Sequence, residues 1–181
     1  MTLIIFGLAI WASAHLWKRV APDHRKSVGD KGKGFVTVAL FIAIALMVIG
    51  YRMADGTVYW GRSGALVGVN NLLMVLAFYL FAASGKGTRI TQLIRHPQLT
   101  AILVWAVAHI LVNGDTPSFV LFGGMAVWAL TEMAVITRAQ GPRAPYHAPP
   151  FKSEIIAVVA TLVVVSVVMM IHNFLGVTPW G

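Results

Sequence analysis

Four histidines and one glutamate fall inside or at the ends of long apolar stretches: His15, His96, His109, His172 and Glu132. Taking an ionisable group out of water is costly, so each of them needs a partner or a task. The plain alternative for a histidine is an amphipathic ring resting at headgroup level, with its nitrogens on water or a backbone carbonyl. His109 stands apart. In Trp105-Ala-Val-Ala-His109-Ile-Leu-Val it is embedded in apolar sequence, with Ala106 and Ala108 three and one positions before it. Small neighbours leave room for something large and flat, and an imidazole there is a natural axial ligand for haem iron, with Trp105 one turn away to pack against a macrocycle. The competing reading is a histidine bonded to a neighbouring helix. His24 and His147 fall in loops and are expected to be solvated. The chain has no cysteine, which excludes disulfides and thiolate chemistry and leaves imidazole or methionine for any soft metal. There is no catalytic dyad, nucleophile elbow or phosphate loop, so no catalytic residue is assigned.

The elements that position these groups are apolar runs. Leu3 to Trp17, Gly34 to Met53, Gly64 to Ser84, Pro97 to Val112, Pro117 to Thr137 and Ile155 to Leu175 compare with the ~20 apolar residues a helix needs to span ~30 Å of hydrocarbon. The first and fourth are short, and thinning or tilt is expected there. Backbone polar groups cannot face lipid unsatisfied, and without the alternation of barrel strands only helices satisfy them. The expected fold is all-α: a polytopic integral membrane bundle of six transmembrane helices. With 58 % hydrophobic and 11 % charged residues and a mean hydropathy of +0.79, one domain over residues 1–181 accounts for the whole chain. Gly123-Gly124 and the Gly64/Gly68 pair would permit close helix contacts.

A net charge of +8 could suggest nucleic acid, but the basic residues are partitioned by loop and form no single stripe. The odd-numbered loops carry Lys18, Arg19, Arg25, Lys26, Lys31, Lys33, then Lys86, Arg89, Arg95, then Arg138, Arg143, Lys152; the even ones carry only Arg52 and Arg62. By the positive-inside rule the odd loops are cytoplasmic and both termini lie on the far side, periplasmic for a bacterial inner membrane. Ala12-Ser-Ala14 is not read as a signal cleavage site, because nothing basic precedes the run and a basic cluster follows it. The stretch from Pro142 through Pro145 to Pro149-Pro150 reads as an extended connector. Counted from the helix ends, His15, His96 and Glu132 lie near the cytoplasmic surface, and His109 and His172 within about two turns of the far one.

The segment Arg95-His-Pro-Gln-Leu-Thr100 through Trp105, Ala108-His109 and Asn113-Gly-Asp115 resembles the NnrU family. The likeness extends to His15 followed by basic residues, to Tyr51-Arg52-Met-Ala-Asp55-Gly56 with Trp60, and to the spacing of all six helices, so it covers nearly the whole chain. It implies a role in bacterial denitrification, in expressing or maturing nitrite and nitric oxide reductases, and similarity to the 15-cis-zeta-carotene isomerase, a haem b enzyme. It further implies that His15 and His109 hold the haem, in an isomerase-like enzyme acting on a hydrophobic small molecule or in a maturation factor that meets a partner reductase. The isomerase has a cysteine three residues before its second ligand histidine, where this chain has Ala106. Depth counting disagrees with the implied pair: axial imidazoles sit at similar depth, yet His15 and His109 are separated by on the order of 15 Å along the membrane normal. Either the Asn113–Pro117 hairpin is recessed, placing His109 near mid-membrane, or the partner of His109 is His172; the family pair, His15 and His109, is the expected one.

A second resemblance points elsewhere. Arg95-His96-Pro97 at a helix start, with Glu132 later near a cytoplasmic helix end, looks like the cofactor-binding end of membrane methyltransferases of the isoprenylcysteine carboxyl methyltransferase type. It implies that His96 and Glu132 help hold S-adenosylmethionine and that Arg95 faces its carboxylate. Leu99 stands where an aromatic residue is usual, and no paired acid accompanies Glu132. Shared motif may record ancestry alone, since fold does not fix function.

Overall fold

In a computed structural model the described residues are 1–142 and 147–179; Arg143 and Pro145 of the proline-rich connector, and Gly181, lie outside them. Five helices are long and apolar enough to cross a bilayer: α1 (Thr2–Val20), α3 (Lys31–Arg52), α4 (Gly64–Lys86), α7 (Thr116–Gln140) and α8 (Phe151–Phe174). The sixth apolar helix, α6 (Pro97–Val112), is shorter. The chain is therefore an all-α, multi-pass membrane protein. Two short helices, α2 (Pro22–Ser27) and α5 (Arg89–Leu93), and two short strands, β1 (Val58–Trp60) and β2 (Gly114–Asp115), occupy the connections.

The first helix is longer than its apolar run. It continues through Lys18 and Arg19 to Val20, giving 19 residues and ~28 Å. Basic side chains in a last turn meet the unpaired carbonyls there favourably, and their methylene stems lie along apolar surface while the charge stays wet. Helix ends elsewhere follow local chemistry. Ser63 Oγ accepts from the Leu66 N–H at 3.3 Å at the start of α4, and Gly87, at φ +63, supplies the left-handed residue that stops it. Pro97 opens α6 at the position where a missing N–H costs nothing.

The chain divides into two compact units, Met1–Tyr59 with Asp115–Ala139, and Trp60–Gly114 with Gln140–Gly181. In the first, α1 and α3 close on each other through two glycines. A Cβ on Gly7 would sit 2.6 Å from Met47 Cγ and 2.8 Å from the Ala43 carbonyl oxygen, and one on Gly50 would sit 2.8 Å from the Ile4 nitrogen. Helix α7 joins them where Leu8 lies over Gly124 and where the hydroxyls of Tyr51 and Ser118 meet at 2.8 Å. Of the four glycines singled out from sequence, Gly124 alone has a close neighbour; Gly64, Gly68 and Gly123 have nothing within 4 Å among the described residues. They face outward, and the tight contact is made by glycines of other helices.

In the second unit α4 packs against both α6 and α8. Ala77, Leu80 and Ala101 form its buried centre, with Ile90, Ile94, Val104 and Trp105 around it. Glu154, in the first turn of α8, accepts from the Tyr79 hydroxyl at 3.2 Å and from the Arg89 N–H at 2.7 Å, which ties α8 to α4 and α5. Trp60 donates its indole N–H to the Leu111 carbonyl at 3.1 Å and lays its ring on Gly114, where any side chain would collide.

Candidate functional site

Three helix histidines carry the same local device. His15 Nδ1 lies 2.9 Å from the Trp11 carbonyl, His109 Nδ1 2.9 Å from the Trp105 carbonyl, and His172 Nδ1 2.8 Å from the Val168 carbonyl. A carbonyl oxygen only accepts, so Nδ1 carries a proton, and a ring in its neutral form then has its lone pair on Nε2. That is the tautomer and the orienting bond found behind metal-ligating imidazoles. The i to i−4 geometry explains it: each histidine lies late in a helix, one turn beyond a carbonyl it can reach.

In the second unit His109 and His172 lie in the last turns of α6 and α8, within electrostatic reach of each other. The Trp105 ring sits 5.0 Å from that of His109, tilted by 50°, and also packs on the Ala77, Leu80 and Ala101 centre. Ala106 and Ala108 are both fully buried; the small residues expected to leave room beside His109 are covered by packed protein. His96 is the N-cap of α6, ~20 Å along the axis from His109. Arg95 donates to the Gly141 carbonyl at 2.6 Å.

Among the described residues no group of three or more His, Asp or Glu side chains is placed to hold a metal ion. Haem iron asks the protein for only one or two axial nitrogens, the rest coming from the macrocycle, and two neutral imidazoles with fixed Nδ1 protons fit that demand.

The first unit holds a different constellation. His15 lies against two indoles, 4.5 Å from Trp11 and 4.8 Å from Trp128, which meet edge-on at 5.4 Å. Glu132, one turn after Trp128 on α7, is only 7 % exposed and within electrostatic reach of His15 and Arg19. Trp11 Nε1, Trp128 Nε1 and Glu132 Oε2 are buried without a hydrogen-bond partner among the described residues. Each such atom costs about 1–3 kcal/mol when left unsatisfied, so the cluster gathers polar groups in want of partners. Trp11 and Trp128 escaped the sequence reading; the signal was their position four residues before His15 and Glu132. Of the residues suggested for S-adenosylmethionine, Glu132 belongs to the first unit and Arg95 and His96 to the second.

The family model described as NnrU protein matches residues 3–179. No curated relative and no solved structure matches the chain.

Proposed function

The chain belongs to the NnrU family, and from that premise we propose that it is a haem b-binding inner-membrane protein of bacterial nitrogen-oxide metabolism, an isomerase-like enzyme or a reductase maturation factor. The observation that carries the haem reading is the pair of imidazoles in the second unit, His109 and His172, each with Nδ1 committed to a backbone carbonyl and the two within electrostatic reach. These two would supply the axial nitrogens, and Trp105 would hold the His109 ring by its tilted contact. When bound, haem would supply a one-electron centre whose potential the axial ligands set. His15 is the alternative partner that the family resemblance implies. With twelve basic residues on the odd loops against two on the even ones, both termini are read as periplasmic. The methyltransferase reading has less support, because Arg95 already gives an N–H to a backbone carbonyl.

The test is the absorption spectrum of the purified protein and three variants. Wild type should show a Soret band and a six-coordinate, low-spin spectrum. His109→Ala should lose most of the haem, and His172→Ala should leave a five-coordinate centre while His15→Ala keeps the wild-type spectrum. Conversion by His15→Ala instead moves the second ligand to His15. Wild-type haem content in His109→Ala overturns the ligand assignment altogether.

A further inference from the structure

Helices α1 and α3 approach closely at Gly7 and Gly50, and α2 joins their other ends. Along them runs a groove of about 720 Å³ lined by Phe6, Ile10 and Trp17 of α1 and Phe35, Val36 and Ala39 of α3. It reaches Val20 and Ala21, beside the segment that carries Lys18, Arg19, Arg25, Lys26, Lys31 and Lys33 against Asp23 and Asp30. Trp17 marks the boundary. Its indole N–H donates to His24 at 3.1 Å, and the Arg25 guanidinium stands 5.5 Å from its ring, so the apolar lining passes directly into the cationic rim. Lys18, Lys26 and Lys31 are exposed.

We propose that this groove binds one acyl chain of an anionic phospholipid from the surrounding leaflet, with the lipid phosphate held by the basic rim. Three arguments select that occupant. The groove lies between membrane-spanning helices, so what reaches it is hydrocarbon, and an acyl chain gains its contacts without presenting polar atoms to the lining. A second helix does not fit: at ~10 Å diameter and 1.5 Å rise, a helix fills about 120 Å³ per residue, so the groove would take about six residues. The charge beside the groove selects an anionic headgroup over a zwitterionic one, as basic clusters beside a span do for lipid phosphates. This inference is independent of haem and of the reaction.

Full-length protein would be reconstituted into vesicles of equal parts phosphatidylglycerol and phosphatidylcholine, released gently, and the retained lipids counted by native mass spectrometry. Wild type should keep one phosphatidylglycerol per chain in preference to phosphatidylcholine. Ala39→Phe, which fills the groove, should lose it. The triple variant Lys18→Gln, Lys26→Gln, Lys31→Gln touches only exposed side chains and so keeps its fold; its preference should fall by on the order of a hundredfold. Equal retention of the two lipids by wild type, or an undiminished preference in the triple variant, overturns the proposal.

Discussion

The clamp between α1 and α3 makes a sharp demand on substitutions of glycine by alanine. In a helix interior this exchange gains about 1 kcal/mol from backbone propensity alone. At Gly7 the new methyl would stand 2.8 Å from the Ala43 carbonyl oxygen and 2.6 Å from Met47 Cγ. The Met47 side chain can swing, but the carbonyl belongs to the α3 backbone, and relief requires the two helices to part. Overpacking of this kind costs about 1–3 kcal/mol, which outweighs or cancels the gain. Gly68, in α4, has nothing within 4 Å, so the same exchange there keeps the gain without the collision. Gly68→Ala should therefore melt at or above wild type and Gly7→Ala at or below it. Because the propensity gain is common to both, the difference between the two melting temperatures isolates the steric cost, several degrees at about 2–4 °C per kcal/mol for a chain of this size. The assay is thermal unfolding of both variants in one detergent, followed by circular dichroism. A Gly7→Ala protein as stable as Gly68→Ala would mean that α1 and α3 are not in the close contact that defines the groove between them.

Glu154→Ala removes the acceptor for both Tyr79 and the Arg89 N–H; it should cost about 1 kcal/mol and raise amide exchange through α5, measured by hydrogen–deuterium exchange, and unchanged exchange there would refute the tie. A reporter fused at the C-terminus should be active only on the periplasmic side, and cytoplasmic activity would invert the orientation drawn from the basic loops. Saturating S-adenosylmethionine should leave the melting temperature unchanged, since a ligand selective for the folded state would raise it by mass action; a clear rise would restore the methyltransferase reading.

The spans were legible because their cause is local: a stretch of apolar residues long enough for hydrocarbon has one available structure, and all six runs became helices. Where α1 ends was not legible, because Lys18 and Arg19 read as loop by charge, although their stems and the helix terminus accommodate them. The short α2 and α5 were missed for a related reason, being too brief to show an apolar period. Glycine pairs misled because a sequence gives spacing and not direction. Gly64 and Gly68 share a helix face, but which face meets a neighbour depends on the partner helix, and the contact fell to Gly7 and Gly50. The histidines announced themselves by charge in apolar surroundings. Trp11 and Trp128 did not, since an indole in a span is ordinary until its N–H is seen to lack an acceptor.

What separates the candidate second ligands of His109 is surroundings, because the device that fixes the tautomer is shared by His15 and His172 alike. An axial imidazole must present its Nε2 edge to a flat macrocycle several times its own width. His15 has two indole rings within 5 Å of its centre and a buried carboxyl group in electrostatic reach, so a macrocycle there would have to displace aromatic packing. His172 has no such ring contact among the described residues, lies at the far end of α8, and shares its unit with His109. The cluster around His15 has its own demand, three buried polar atoms in want of partners. A small polar group would meet that demand and a porphyrin face would not. On the function proposed above, the second unit would offer the axial nitrogens, and the first holds unpartnered polar atoms beside two indoles. Trp128→Phe separates these roles: it deletes one orphan N–H while keeping an aromatic, though smaller, ring, and should leave haem content and spin state unchanged. A shifted haem spectrum in that variant would return His15 to the iron.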